Sequence, residues 1–132
     1  MRLQISNAIR DAFLDELVRR VGPTPVLELF AGALPARCTE TPAGALLARG
    51  TLPLVWISAA HGGTTTKQGS WVLEASSAGT IGCFRISRLL SPHECCIQGD
   101  VGKDGAMRID SLVVEAKQKI EVKSFVLVAP NP

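Results

Sequence analysis

Four cysteines and two histidines are the side chains of this sequence best suited to chemistry, and His93, Cys95 and Cys96 fall within one short stretch. With Cys83 they offer thiolate and imidazole, the ligands that zinc prefers. The spacing argues against a metal centre. No Cys-x-x-Cys pair occurs, and adjacent Cys95 and Cys96 on a strand point to opposite faces. Cys95 or Cys96 could instead pair with His61 or His93 as nucleophile and base. Nothing around them supplies an oxyanion hole or an orienting acid.

Three other stretches deserve the same test. The run Asp100-Val-Gly-Lys-Asp104-Gly-Ala has carboxylates near glycine, as calcium loops do. It lacks the alternating oxygen ligands and the closing Glu, and Lys103 adds a positive charge. His61-Gly62-Gly63-Thr64-Thr65-Thr66-Lys67 is glycine-rich and basic at one end, but it does not fit the phosphate-loop pattern. Arg85 and Arg88 beside Phe84 could stack on bases, although isolated strand arginines more often sit solvated or paired at the surface. The expectation is therefore no catalytic residue, no metal and no cofactor, with an enzyme disfavoured because acid, base and nucleophile do not converge.

The elements that would hold these residues are mostly strands. From Gly79 to Asp110 the chain reads strand, polar break at Ser91-Pro92-His93, strand, turn, strand. Phe84 and Ile86 share one face, and Cys95 and Ile97 resume the alternation, because side chains alternate with period two. Lys103-Asp104-Gly105 is expected to make a hairpin turn, since Asp-Gly tolerates the positive φ of a primed turn. Met107 and Ile109 alternate beyond it.

Before this stretch, a helix is expected from about Asn7 to about Arg20. Ser6 or Asn7 caps it, and Gly22-Pro23 stops it. Ile9, Phe13 and Leu17 form its apolar stripe and are expected to be buried. Asp15 with Arg19 and Glu16 with Arg20 are favourable i,i+4 pairs. Val26–Phe30 is a strand and residues 31–44 a loop. Leu46 and Leu47 begin either a strand or a helical turn. Leu52, Leu54 and Trp56 share a face of the next strand, with Pro53 favouring an edge. His61 to Gly69 reads as an exposed, mobile loop. Ser70 to Ala75 is a strand with Trp71 and Leu73 on one face.

Leu112 to Glu115 is a short strand or crossover, and 116–119 a turn. The last strand runs from Ile120 to about Val128, before Pro130 and Pro132. Its even face, Ile120, Val122, Ser124, Val126 and Val128, belongs in the core. Its odd face ends in Phe125 and Leu127, apolar side chains that the helix or a partner subunit must cover, and they are the expected interface. The whole is one domain over residues 1–132. It is mainly β: a β-sandwich or jelly-roll-like domain of about seven or eight short antiparallel strands with one N-terminal helix.

Composition limits the function. A 46% hydrophobic and 20% charged chain is globular rather than disordered. A net charge of +2 does not by itself make a nucleic-acid surface. No apolar run reaches the roughly 20 residues of a membrane span. The opening Met-Arg-Leu-Gln-Ile-Ser-Asn has no apolar core of a signal peptide, so assembly in a cytosol is expected. There, Cys38, Cys83, Cys95 and Cys96 are expected to be reduced.

Several short motifs, in order, resemble one family. They are Arg2-Leu3-Gln4-Ile5-Ser6-Asn7-Ala8-Ile9-Arg10-Asp11-Ala12 at the helix entry and Leu27-Glu28-Leu29-Phe30-Ala31-Gly32-Ala33-Leu34-Pro35-Ala36 from the first strand into its loop. Gly44-Ala45-Leu46-Leu47-Ala48, Cys83-Phe84-Arg85-Ile86, Gly99 to Ala106 and Ser124-Phe125-Val126-Leu127 follow. Together they resemble small virion structural proteins of tailed bacteriophages. The resemblance implies a non-catalytic role as a capsid decoration or minor capsid protein, or else in the tail, connector or baseplate. It implies homo-oligomers and contacts with major capsid or tail proteins, and location in the virion. A glycan-binding sandwich is the other class to weigh, with Trp56 and Trp71 as its only large stacking platforms. An enzyme using Cys95 or Cys96 is the third.

Overall fold

A computed structural model describes residues 2–130, apart from the His93 side chain. The expected terminal Pro132 lies outside the described residues. Among these residues one helix, α1 (Asn7–Val21), precedes nine strands: β1 (Val26–Ala31), β2 (Leu46–Thr51), β3 (Thr64–Thr66), β4 (Val72–Glu74), β5 (Gly79–Arg88), β6 (Ser91–Asp100), β7 (Met107–Ile109), β8 (Val113–Val114) and β9 (Lys119–Val128). The protein is mainly β with one N-terminal helix, as its alternation pattern implies.

The strands form two antiparallel sheets. The larger is ordered β2-β1-β5-β6, with β8 on the start of β5. The smaller is built on β9: β3 pairs with its end, β4 with its beginning and β7 with its middle. An Ala48–Ala75 bridge ties β2 to the end of β4, and a Val101–Met107 bridge ties the end of β6 to β7. The sheets therefore meet at two corners and enclose one core.

Cross-strand pairs show why the larger sheet folds in this register. Leu27 lies opposite Ile86, and Leu29 opposite Phe84, all on the inner face. The outer face pairs Glu28 with Arg85 and Val26 with Ser87. A slip of one residue would send Leu27, Leu29, Phe84 and Ile86 outward together. Between the sheets, Trp56, Trp71, Phe125 and Phe84 form an aromatic chain. Centroid separations are 6.2 Å for Trp56–Trp71, 5.4 Å for Trp71–Phe125 and 5.5 Å for Phe125–Phe84. The last pair meets edge to face at 87°, an arrangement that the ring quadrupoles favour. Both indole N–H groups are satisfied, Trp56 by the Gly22 carbonyl and Trp71 by that of Gln68.

The helix has the expected span and the expected cap: the Ser6 hydroxyl accepts from the Ile9 N–H. It is turned from the expected orientation. Ile9 and Phe13 are each 50% exposed, whereas Leu14 and Val21 are buried and Leu17 and Val18 pack on the core. Polar anchors on the first half cause the offset. Arg10 donates twice to the Ala129 carbonyl, and the Asp11 carboxylate accepts from the Gly63 N–H at 2.6 Å. The inward line is thus Arg10, Asp11, Leu14, Val18 and Val21, about one residue away from the apolar stripe.

Arg19 bonds Glu16 rather than Asp15. Arg19 and Arg20 both reach Glu16, at 2.6 and 2.9 Å. Their hydrogen bonds, Arg19 first, lower the Glu16 pKa from 4.5 to about 2. A lowered folded-state value stabilises the fold above the unfolded value of 4.5, and that contribution is lost as pH falls through about 2. Carboxyl NMR titration of Glu16 should find its midpoint near 2 in low salt, and higher in strong salt because the triad is exposed. A midpoint of 4.5 at low salt would mean that the triad is not populated.

Four expectations fail for identifiable reasons. Residues 52–56 do not form a regular strand: Leu52 and Trp56 are buried, but Leu54 points outward. Pro53 offers no N–H, and the Leu52 N–H is used by the Pro25 carbonyl. The segment His61 to Gly69 is not a free loop. Gly62 and Gly63 have φ of 63° and 76°, and His61 and Thr64 exchange both backbone hydrogen bonds across them. That is the primed hairpin geometry, and it places Thr64–Thr66 on β9 with Thr65 buried. Lys103-Asp104-Gly105, by contrast, makes no hairpin. Gly105 has no positive φ, and the strands on either side, β6 and β7, belong to different sheets.

The fourth failure concerns β9. Ile120 and Val122 are buried as expected, but beyond them the inward face changes: Phe125 is 1% exposed, Leu127 is half-buried, and Val126 and Val128 face solvent. The pairing explains it. Arg108 lies opposite Ser124 and Ile109 opposite Val122, leaving Lys123 as an extra residue. A β-bulge of this kind shifts the alternation by one. Phe125 is therefore a core residue, and Leu127 packs against the core. Neither forms the exposed patch that the uninterrupted period implied.

Candidate functional site

The densest grouping of polar and sulfur side chains lies on the outer face of the larger sheet. Cys83, Arg85 and Ser87 alternate with Phe84 and Ile86 along β5, so they point away from the main core. Ordinarily such a face meets water. Here the loop of residues 32–45 folds over it. The Arg85 guanidinium donates to the backbone carbonyls of Arg37 and Glu40 and, at 3.0 Å, to the Gln98 side-chain oxygen. Gln98 in turn donates to the Pro35 carbonyl at 2.8 Å. The Cys83 thiol faces the Ala33 carbonyl. Arg85 is therefore buried, with its Nε atom unpartnered, and not at the surface as expected for an isolated strand arginine.

Cys38 on this loop meets Cys95 on β6, with sulfurs 2.7 Å apart. Beside them a pocket of about 270 Å³ is lined by Glu28, Thr41, Arg85, Ser87 and Cys95, among others. Burial, then the hydrogen bond with Cys38, pushes the Cys95 pKa up to about 12. Burial also raises Cys83 and Cys96. A protonated thiol is a poor nucleophile, and at these cysteines burial outweighs the nearby charges of Arg85 and Arg88. All four are free thiols in the structure.

The residues weighed in the sequence separate. His61 sits in the Gly62–Gly63 turn beside β3, on the smaller sheet, while Cys95 and Cys96 lie on β6. Cys96 faces the helix side of β6 rather than the Cys38 side, near Leu17 and Arg88. The His93 side chain is outside the described residues. Among the described residues no three His, Cys, Asp or Glu side chains gather as a metal site. Asp100 uses one carboxylate oxygen to accept from the Ala106 N–H, which closes its turn. Lys67 donates to the Gly69 carbonyl. Trp56 and Trp71 are both buried, so neither offers a stacking platform for a sugar.

Apolar surface lies elsewhere, around the end of α1. Leu54 and Val55 flank Gly22-Pro23 on one side, in a groove of about 340 Å³. Leu89 and Leu90 flank it on the other, in a groove of about 380 Å³. Leu54 is 68% exposed and Leu90 is 89% exposed. Arg19, Arg20 and Arg88 edge the grooves.

The fold and its surfaces define a two-sheet β domain with a looped-over outer face and an apolar, arginine-edged rim. Comparison with known proteins gives no match: no family model, curated sequence or solved structure aligns with the chain.

Proposed function

We propose that this chain is a non-enzymatic structural subunit of a tailed-bacteriophage virion, a capsid decoration or minor capsid protein that docks on neighbouring subunits. The observation that carries the reading is the apolar surface around the end of α1. Leu54, Val55, Leu89 and Leu90 stand in water around Gly22-Pro23, and Ile9 and Phe13 add a second apolar pair on the helix. Apolar side chains edged by arginines have the composition of an interface core and its rim. The order of its short motifs, which resembles that of small virion proteins, supports the same role. So do the separation of His61 from the cysteines and the protonated state of the buried thiols.

This surface replaces Phe125 and Leu127 as the docking face. Sedimentation velocity over a range of concentrations tests it, using the full chain and Leu54→Asp plus Leu90→Asp. Both substituted side chains are exposed, so the variant should fold with little loss of stability. The native chain should form concentration-dependent oligomers that the double variant does not. A native chain that stays monomeric at high concentration, or a double variant that associates equally well, would refute this docking face.

A further inference from the structure

We propose that Cys38 and Cys95 are an oxidisable pair whose disulfide clips the loop of residues 32–45 onto β6. The argument begins with contact. The two sulfurs are 2.7 Å apart, within about 1 Å of the S–S bond length of about 2.05 Å. They come from residues 57 apart in sequence, one on the loop and one on a strand. The neighbouring contacts fix both partners. Arg85 holds the carbonyls of Arg37 and Glu40 on either side of Cys38, and Gln98 holds that of Pro35. The other two cysteines are placed differently: Cys83 faces the Ala33 carbonyl, and Cys96 lies toward Arg88 on the helix side. The pair thus has a defined partner choice, which a random set of four thiols lacks.

Oxidation needs an acceptor of two electrons, and a small disulfide such as oxidised glutathione suffices. The Cys38 thiol loses its proton to water. Its sulfur attacks one glutathione sulfur, and the other leaves as a glutathione thiolate. The Cys95 thiol then loses its proton, and its sulfur attacks that of Cys38. The Cys38–Cys95 bond forms, the mixed disulfide breaks, and the second glutathione leaves. The protein gives up two protons and two electrons, and one oxidised glutathione becomes two thiols. Burial keeps Cys95 protonated at neutral pH, so ring closure is the slow step and a glutathione adduct on Cys38 precedes it.

The expectation of reduced cysteines in a cytosol and this proposal meet at one variable, the redox poise. The test uses the purified full chain, equilibrated with glutathione mixtures of increasing oxidised fraction, quenched with acid, alkylated and mapped by mass spectrometry. A Cys38–Cys95 linked peptide should dominate as the oxidised fraction rises, with Cys83 and Cys96 alkylated. The oxidised chain should melt roughly 10 °C higher than the reduced one, because the crosslink constrains a long loop of the unfolded chain. The rise should vanish with reductant and in Cys38→Ser. The Cys38→Ser change sits on the loop and keeps the test valid even where Cys95→Ser fails to fold. No linked peptide under full oxidation, linkage chiefly through Cys83 or Cys96, intermolecular linkage alone, or a linked chain with unchanged melting would each overturn the proposal.

Discussion

Phe125→Ala should destabilise the protein by about 3–5 kcal/mol, the cost of emptying a well-packed aromatic site. Phe125 touches Trp71 and Phe84 at the centre of the aromatic chain and is almost wholly buried. Phe13→Ala makes the control. Phe13 is the residue that helical periodicity would choose for the core, but half of it remains in solvent. Its truncation should cost about 1 kcal/mol or less. Urea denaturation with a constant m-value would measure both. Equal losses would mean that the helix packs by its Ile9–Phe13 stripe after all. By the same argument, Phe125→Ser plus Leu127→Ser should unfold the isolated chain rather than leave a folded subunit unable to assemble.

Gly82→Ala should be the second large effect, at about 3 kcal/mol. A Cβ on Gly82 would lie 2.1 Å from the Gly32 carbonyl oxygen and 3.0 Å from its carbon. Both are backbone atoms, so no side chain can rotate away. The obstructed residue opens the loop of residues 32–45, and Gly32 itself has a φ of 85°. The variant must therefore lift the start of the loop from the sheet and weaken its grip on Arg85. Gly102→Ala is the matched control, because a Cβ there meets nothing within 4 Å and the residue has no positive φ. It should change stability by about 0.5 kcal/mol or less. Faster amide exchange across residues 32–45 in Gly82→Ala alone would complete the pattern. Equal stability of the two variants would show that the loop is not seated where the structure has it.

Much of this fold can be read from residues two apart. The alternation of Phe84 with Ile86 and of Trp71 with Leu73 places two strands and their inner faces correctly. Capping by Ser6 and the Gly22-Pro23 stop place the helix to within a residue. What alternation cannot report is a change of phase. The extra residue Lys123 turns the end of β9 over, and only the pairing partner on β7 reveals it. Likewise, the helix is oriented by Arg10 and Asp11 reaching Ala129 and Gly63, contacts far apart in sequence.

The Gly62–Gly63 hairpin was available as a turn signal, since paired glycines suit positive φ. Asp104-Gly105 carries a similar signal between two strand patterns, but the strands it joins belong to different sheets. The outer-face cluster is harder still. Arg85 on the odd face of a strand reads as solvent-facing until the loop that covers it is in place. Cys38 and Cys95 have no sequence relation that would pair them, because connectivity follows from the fold and not from spacing.

The central claim is that the chain is a component of a virion. Quantitative mass spectrometry of purified phage particles from an infected culture that expresses the chain, set against the soluble fraction of the same infected cells, tests that role. The chain should be enriched in intact particles, at a fixed ratio to the major capsid protein from one preparation to the next. A chain abundant in infected cells but absent from purified particles would contradict it.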